Sequence, residues 1–128
     1  MKKDFYRWHL VKAKINDIQN PTYFYEREIW FCSLGLNVGH EEDGKHTQFE
    51  RPILVLKKFN KETFWGIALT TKHHSDPLYY FPFLLNGRLV FANLSQLRLL
   101  DSRRILRKAG MMSQGDFDKL RDIIKKLI

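Results

Sequence analysis

Three places in the sequence carry residue types with usable chemistry. Arg51 precedes Pro52 and a continuous apolar run, Ile53-Leu54-Val55-Leu56. Thr70, Thr71 and Lys72 close a second β-prone segment, and His40 and Glu41 sit in the stretch Gly39-His40-Glu41-Glu42-Asp43-Gly44. A guanidinium is a planar, permanently charged fork that matches phosphate, and a hydroxyl beside it adds a second hydrogen bond. Histidine is the side chain whose ordinary pKa suits proton transfer near neutrality. Together these types can hold a phosphodiester and move a proton at it. The plainer alternative is that Arg51 pairs with Glu50 or Glu41 and that Thr70 only caps a strand. His40, Glu41, Glu42, Asp43 and His46 also include metal-ligating types, but no spacing among them is diagnostic, and no metal or other cofactor is expected. Neighbouring His73 and His74 would point to opposite faces of a strand, which argues against joint chelation. The alternating aromatics of residues 79–83 read as core in preference to a base-stacking platform. No nucleophilic-serine elbow, P-loop or dinucleotide fingerprint is present.

These groups need elements to position them. Phe5, Trp8, Val11, Ile15 and Ile18 form the one-sided stripe of an amphipathic helix over residues 4–19, ended by Asn20-Pro21. Residues 28–34 are rich in β-formers, and residues 53–56 have the continuous apolar character of a strand buried on both faces. The polar link Asn60-Lys61-Glu62 joins that strand to residues 63–71 as a hairpin. If so, Arg51 and Thr70 come from opposite strands and end near one edge of the sheet. Residues 78–85 and 88–95 flank Asn86-Gly87, the strongest two-residue hairpin signal in the chain, and residues 96–100 form another strand-like piece. Ser113, three residues before Asp116, opens a helix with Phe117, Leu120, Ile123, Ile124 and Leu127 on one face. The pattern predicts an α+β, mainly β fold: a small closed or half-closed antiparallel barrel with a helix at each end, as one domain over residues 1–128 with residues 1–22 a helical extension.

Length and charge narrow the partners. The chain has 128 residues and a formal charge of +8, with a pI near 9.7. This surplus favours anionic partners, nucleic acid before membrane surface. It is uneven: residues 1–27, 28–50, 51–88 and 89–128 carry +3, −4, +4 and +5, so an acidic island containing His40 lies within a basic chain. One cysteine, Cys32, excludes an internal disulfide and fits a reducing, cytoplasmic setting. No apolar run approaches the roughly 18 residues of a membrane span.

In order and spacing, six pieces of the sequence resemble the PemK/MazF family of toxin ribonucleases over residues 27–128: the Glu28-Ile29-Trp30 strand, the GHEEDG loop, RPILVL, IALTT, NLSQLRLLD and KAGMMS. The resemblance implies an SH3-like antiparallel barrel of the CcdB/PemK type with a C-terminal helix, and a homodimer. It also implies cleavage of single-stranded RNA without metal, and a cognate antitoxin whose acidic tail fills the basic groove. The family arginine before proline falls on Arg51, the strand-end threonine or serine on Thr70 and the loop histidine on His40, which would be catalytic. Glu41, Thr71, Lys72, Gln96 and Arg98 would contact substrate. The implied chemistry is attack of a ribose 2′-OH on the adjacent phosphate, leaving a 2′,3′-cyclic phosphate and a 5′-OH. One departure stands out: Asn93 and Ser95 occupy the places of the family's Arg-x-Asp acid–base pair. Related barrels poison DNA gyrase, so a non-enzymatic inhibitor of a protein target is the alternative, and an RNA-binding module without cleavage is a third.

Overall fold

The computed structural model describes residues 23–34, 50–73 and 78–128. The expected N-terminal helix, His40 and Glu41 lie outside these residues. Six strands and one helix follow in order: β1 (Glu28–Ser33), β2 (Glu50–Lys58), β3 (Thr63–Thr70), β4 (Tyr80–Leu85), β5 (Arg88–Asp101), β6 (Ile105–Met111) and α1 (Gln114–Leu127). All pairings are antiparallel, and the strand order is β4-β5-β3-β2-β1-β6.

β2 shows why the sheet is buried on both sides. Side chains alternate along a strand, so Ile53 and Val55 join Cys32, Phe64, Ala68, Leu100 and Ile105 in one cluster. Leu54 and Leu56 join Ile29, Ile67, Leu69, Phe117 and Leu120 in the other. The larger cluster lies beneath α1. The smaller is closed by the chain as it passes from β5 through a 3-10 turn at Ser102–Arg104 into β6, because Leu100 and Ile105 flank that turn. Burying one such Leu or Ile contributes about 1.5–3 kcal/mol. α1 begins as expected: Ser113 Oγ accepts the Asp116 N–H at 3.2 Å, and Phe117 and Leu120 are buried.

Three features differ from the sequence expectation. The expected mainly β, antiparallel fold with a C-terminal helix is present, but the sheet is open, not a closed barrel, because β4 and β6 are edges with no ladder between them among the described residues. It nevertheless curls until the β4–β5 hairpin tip meets β6: Asn86 Nδ2 donates to the Ala109 carbonyl at 3.3 Å. A Cβ at Gly110 would stand only 2.8 Å from Leu85 Cδ1, so glycine admits this approach. Asn86 and Gly87 adopt φ of 52° and 79°, the left-handed pair of a tight hairpin turn.

Second, residues 88–95 and 96–100 are one strand, β5, and not two. Its register against β3 jumps from Leu69↔Ala92 to Ile67↔Leu97, leaving extra residues in a bulge. Asn93 organises the bulge by accepting the Ser95 N–H at 3.2 Å and its hydroxyl at 2.7 Å. Third, residues 105–111 form an unforeseen strand. Their pattern is charged and irregular because β6 is an edge strand whose exposed Arg107 and Lys108 need no apolar alternation.

Candidate active site

Arg51 and Thr70 lie at the same end of the neighbouring strands β2 and β3. The β2–β3 pairing runs as far as Ile53↔Ala68, and Arg51 and Thr70 each lie two residues beyond that pair on their own strand. Both line a cleft of about 480 Å³. The lining mixes residues from both faces of the sheet, including Phe31, Pro52, Thr71 and Arg88, so the cleft runs across the strand ends. The expected hairpin therefore holds, although the pair sits in the middle of the sheet and not on a terminal strand.

Arg51 is only 7 % exposed. It stands across from Cys32 of β1, and burial pushes the Cys32 thiol well above its ordinary value despite the opposing charge of Arg104. Arg51 therefore has a neutral thiol as its register partner on β1. The Thr70 hydroxyl oxygen accepts the Lys72 N–H at 3.1 Å, which fixes the turn that follows β3. A hydroxyl that accepts still has its own hydrogen to donate. Thr71 and Lys72 are exposed beyond the strand end, and Thr71 lines the cleft while Lys72 does not.

Cation density extends beyond Arg51. Arg88, immediately after the Asn86-Gly87 turn, also lines the cleft. Arg107 grips Glu50 with two hydrogen bonds of 2.7 Å, and its guanidinium lies 4.2 Å from the centroid of the cleft residue Phe31. This fork spends the Glu50 carboxylate on Arg107, one residue before Arg51. Neither Arg88 nor Arg107 was singled out from the sequence. A cation directly after a hairpin turn was the available signal for the first; the second depends on β6.

The remaining expected contacts lie elsewhere. Arg98 is opposite Gly66, four residues along β3 from Thr70, or about 13 Å at strand rise. Gln96 lies at the far end of the β5 bulge, and neither residue lines the cleft. Arg98 stands near Arg104, whose guanidinium is held below its ordinary value by burial and then by the Arg98 charge, with Asp101 opposing. Arg104 also donates to the Ser33 carbonyl at 3.0 Å. Asn93 and Ser95 are bound to each other in the bulge. His73 rests edge-on against Phe91 at 5.3 Å between ring centroids. Phe81 and Phe83 are core residues, as the alternation suggested.

The described residues form a small, mainly β protein: a curled antiparallel sheet covered by one helix, with Arg51 and Arg88 lining a cleft at the strand ends. The chain belongs to the family of PemK-like, MazF-like toxins of type II toxin–antitoxin systems, whose model matches residues 25–128. Among solved structures it is similar to a MazF from Deinococcus radiodurans, with 19% identity, a TM-score of 0.66, and coverage of 83% of this chain and 97% of that one. An endoribonuclease solved in complex with its cognate antitoxin, from a mycobacterial species, gives 12% identity, a TM-score of 0.63, and coverage of 81% and 93%. The Mycobacterium tuberculosis toxin MazF-mt6 gives 15% identity, a TM-score of 0.58, and coverage of 78% and 94%. At these identities the likeness is one of fold. No curated protein sequence matches the chain significantly. No helix among the described residues is long and apolar enough to cross a membrane.

Proposed function

We propose that this family member is an endoribonuclease toxin that cuts single-stranded RNA, without metal, by attack of a ribose 2′-OH on the adjacent phosphate. The carrying observation is that Arg51 and Thr70, far apart in sequence, share one cleft with a second arginine, Arg88. The 2′-oxygen forms the new P–O bond as the 5′-oxygen of the next nucleotide leaves, giving a 2′,3′-cyclic phosphate and a 5′-OH. Charge builds on the non-bridging oxygens in between. Arg51 meets that charge, worth about 3 kcal/mol of barrier by comparison with other oxyanion donors. Thr70 positions the phosphate with its hydroxyl hydrogen. Arginine is too weak an acid to shuttle protons efficiently, so the proton carrier in this reading is His40, with Glu41 beside it. Gln96 and Arg98, some way along β5, would hold nucleotides flanking the cut, and Thr71 and Lys72 the adjacent backbone.

The active species in this reading is a cytoplasmic homodimer, silenced by a cognate antitoxin whose acidic tail occupies the basic cleft. The mycobacterial relative solved with its antitoxin supports such a partner. A second reading, a non-enzymatic inhibitor of a protein target such as gyrase, is favoured by one observation: Asn93 and Ser95 replace the family's acid–base pair and are bound to each other. Incubation of the purified protein with single-stranded RNA in excess EDTA separates the two. The nuclease reading predicts fragments ending in cyclic phosphate. Intact RNA beside an inhibited gyrase would establish the other.

A further inference from the structure

The cleft occupies one end of the sheet; the opposite end carries an apolar surface that the proposed chemistry does not use. Phe59 and Trp65 meet edge to face with centroids 5.0 Å apart, and Trp65 stands directly across from Leu99 on β5. They are 47%, 42% and 60% exposed. Three contiguous large apolar side chains at the surface mark an interaction site more often than chance exposure does.

The chain itself supplies an occupant next to this surface. The described residues begin at Tyr23, and the segment there is tied to the end of β2: Lys58 N donates to Glu26 Oε2 at 3.0 Å and Lys58 Nζ to the Phe24 carbonyl at 2.9 Å. Phe59 is the next residue. Tyr23 therefore lies beside the β2–β3 turn, one residue before Phe24, which is buried against Phe64 on the face opposite Trp65. The five steps from Ile18 to Tyr23 span at most about 18 Å, more than the roughly 10 Å between packed layers that a chain must cross to reach the Trp65 face. The stripe Phe5, Trp8, Val11, Ile15 and Ile18 has the period of a helix. A helix of that length is marginal in water unless its apolar face finds a partner. Tethering so short a distance away holds it at an effective concentration near millimolar.

We propose that residues 4–19 form an amphipathic helix that docks its apolar stripe on Phe59, Trp65 and Leu99 of the same chain. A second exposed apolar pair, Leu84 and Leu89, faces each other across the β4–β5 hairpin. It lies toward the cleft end of the sheet, and the exit at Tyr23 favours the first patch over it. From Phe59 to Arg51 is eight residues of β2, about 26 Å. The docked helix leaves the cleft open, and its role is to cover apolar surface and brace the β2–β3 hairpin.

Cross-linking in the full chain tests this without altering either apolar surface. Lys12→Cys marks the middle of the segment, Lys57→Cys marks the patch (Lys57 lies across from Trp65), and Arg88→Cys marks the cleft end. The one native cysteine, Cys32, is buried and does not compete. A short bismaleimide, added to micromolar protein, is expected to join positions 12 and 57 within one chain about tenfold more than positions 12 and 88. Adding Trp65→Glu, or separately Leu99→Glu, should remove that preference and weaken the helical far-UV signal, while the cooperative thermal unfolding of the sheet is kept. Equal yields at the two sites, no intrachain product, or links formed only between two chains would each overturn the proposal.

Discussion

Arg107 holds both carboxylate oxygens of Glu50, Nη1 to Oε2 and Nη2 to Oε1, each at 2.7 Å. The pair ties β6 to the first residue of β2, across β1, at the strand end that carries Arg51. Glu50 is buried while Arg107 is exposed, so the two partners are not equivalent. Removing the arginine takes two charge-assisted hydrogen bonds from a buried carboxylate, whereas neutralising the glutamate leaves a cation that water can solvate. Arg107→Ala is therefore expected to lower the urea midpoint more than Glu50→Gln. Equal shifts would contradict the asymmetry between the buried and the exposed partner, and no shift in either variant would show that the fork contributes nothing to the strand end.

Acid should weaken the fold through Glu28. Burial raises its pKa, but bonds from Lys108, the Tyr25 N–H and Trp30 outweigh that and hold the carboxyl below its ordinary value of 4.5. A depressed carboxyl contributes stability that is fully present above its unfolded-state pKa and is lost as pH falls through the folded one. Asp101 behaves alike: bonds from Arg103 hold it below its ordinary 3.8. Stability should stay flat with respect to these groups from neutrality to about pH 5 and then fall toward pH 3. Glu28→Gln is expected to cost about 1–2 kcal/mol at pH 7 and to flatten the acid slope. Urea titrations at pH 7, 4.5 and 3.5 check both points.

The hairpin tip depends on its backbone. Gly87 has φ of 79° with nothing near the place of a Cβ, so Gly87→Ala meets conformational strain and no clash. The expected loss is about 1 kcal/mol. Thermal melts read it directly; an unchanged Tm would mean that the turn relaxes.

How much of this was legible in the chain depended on local signal. The run at Ile53 to Leu56 announced a doubly buried strand because apolar pairs must face two cores. Asn86-Gly87 announced its turn because few other dipeptides accept two left-handed residues in succession. β6 was hidden, since an edge strand with charged outward residues shares its composition with a loop. The continuity of β5 was hidden because Asn93 and Ser95 look like a turn and act as one, inside a strand. Openness of the sheet is a property of long-range pairing and has no local mark. At the site, Arg51 and Thr70 were readable as a pair once the hairpin was assumed. Arg88 reaches the cleft by the curl of the sheet, and Arg107 comes beside the cleft residue Phe31 by the pairing of β6 with β1; no short-range pattern reports either.

Thr70 offers a graded test of the site. Thr70→Val keeps shape and β-propensity but removes both the proposed donor to phosphate and the acceptor for Lys72 N–H. RNA cleavage is expected to fall about 10- to 100-fold, since one hydrogen bond to a charged group contributes roughly 1.5–3 kcal/mol. Thr70→Ser should retain most activity. Equal rates for all three proteins would remove Thr70 from the site.

The central claim is that Arg51 stabilises charge on a phosphodiester in the cleft. The direct measurement is the single-turnover rate of cleavage of a labelled single-stranded RNA in excess EDTA by the natural protein and by Arg51→Ala, with product ends analysed. The account predicts cyclic-phosphate ends from the natural protein, and a rate lower by about 10²–10³ for the variant, with its circular dichroism spectrum intact. Cleavage by Arg51→Ala at an undiminished rate would contradict it.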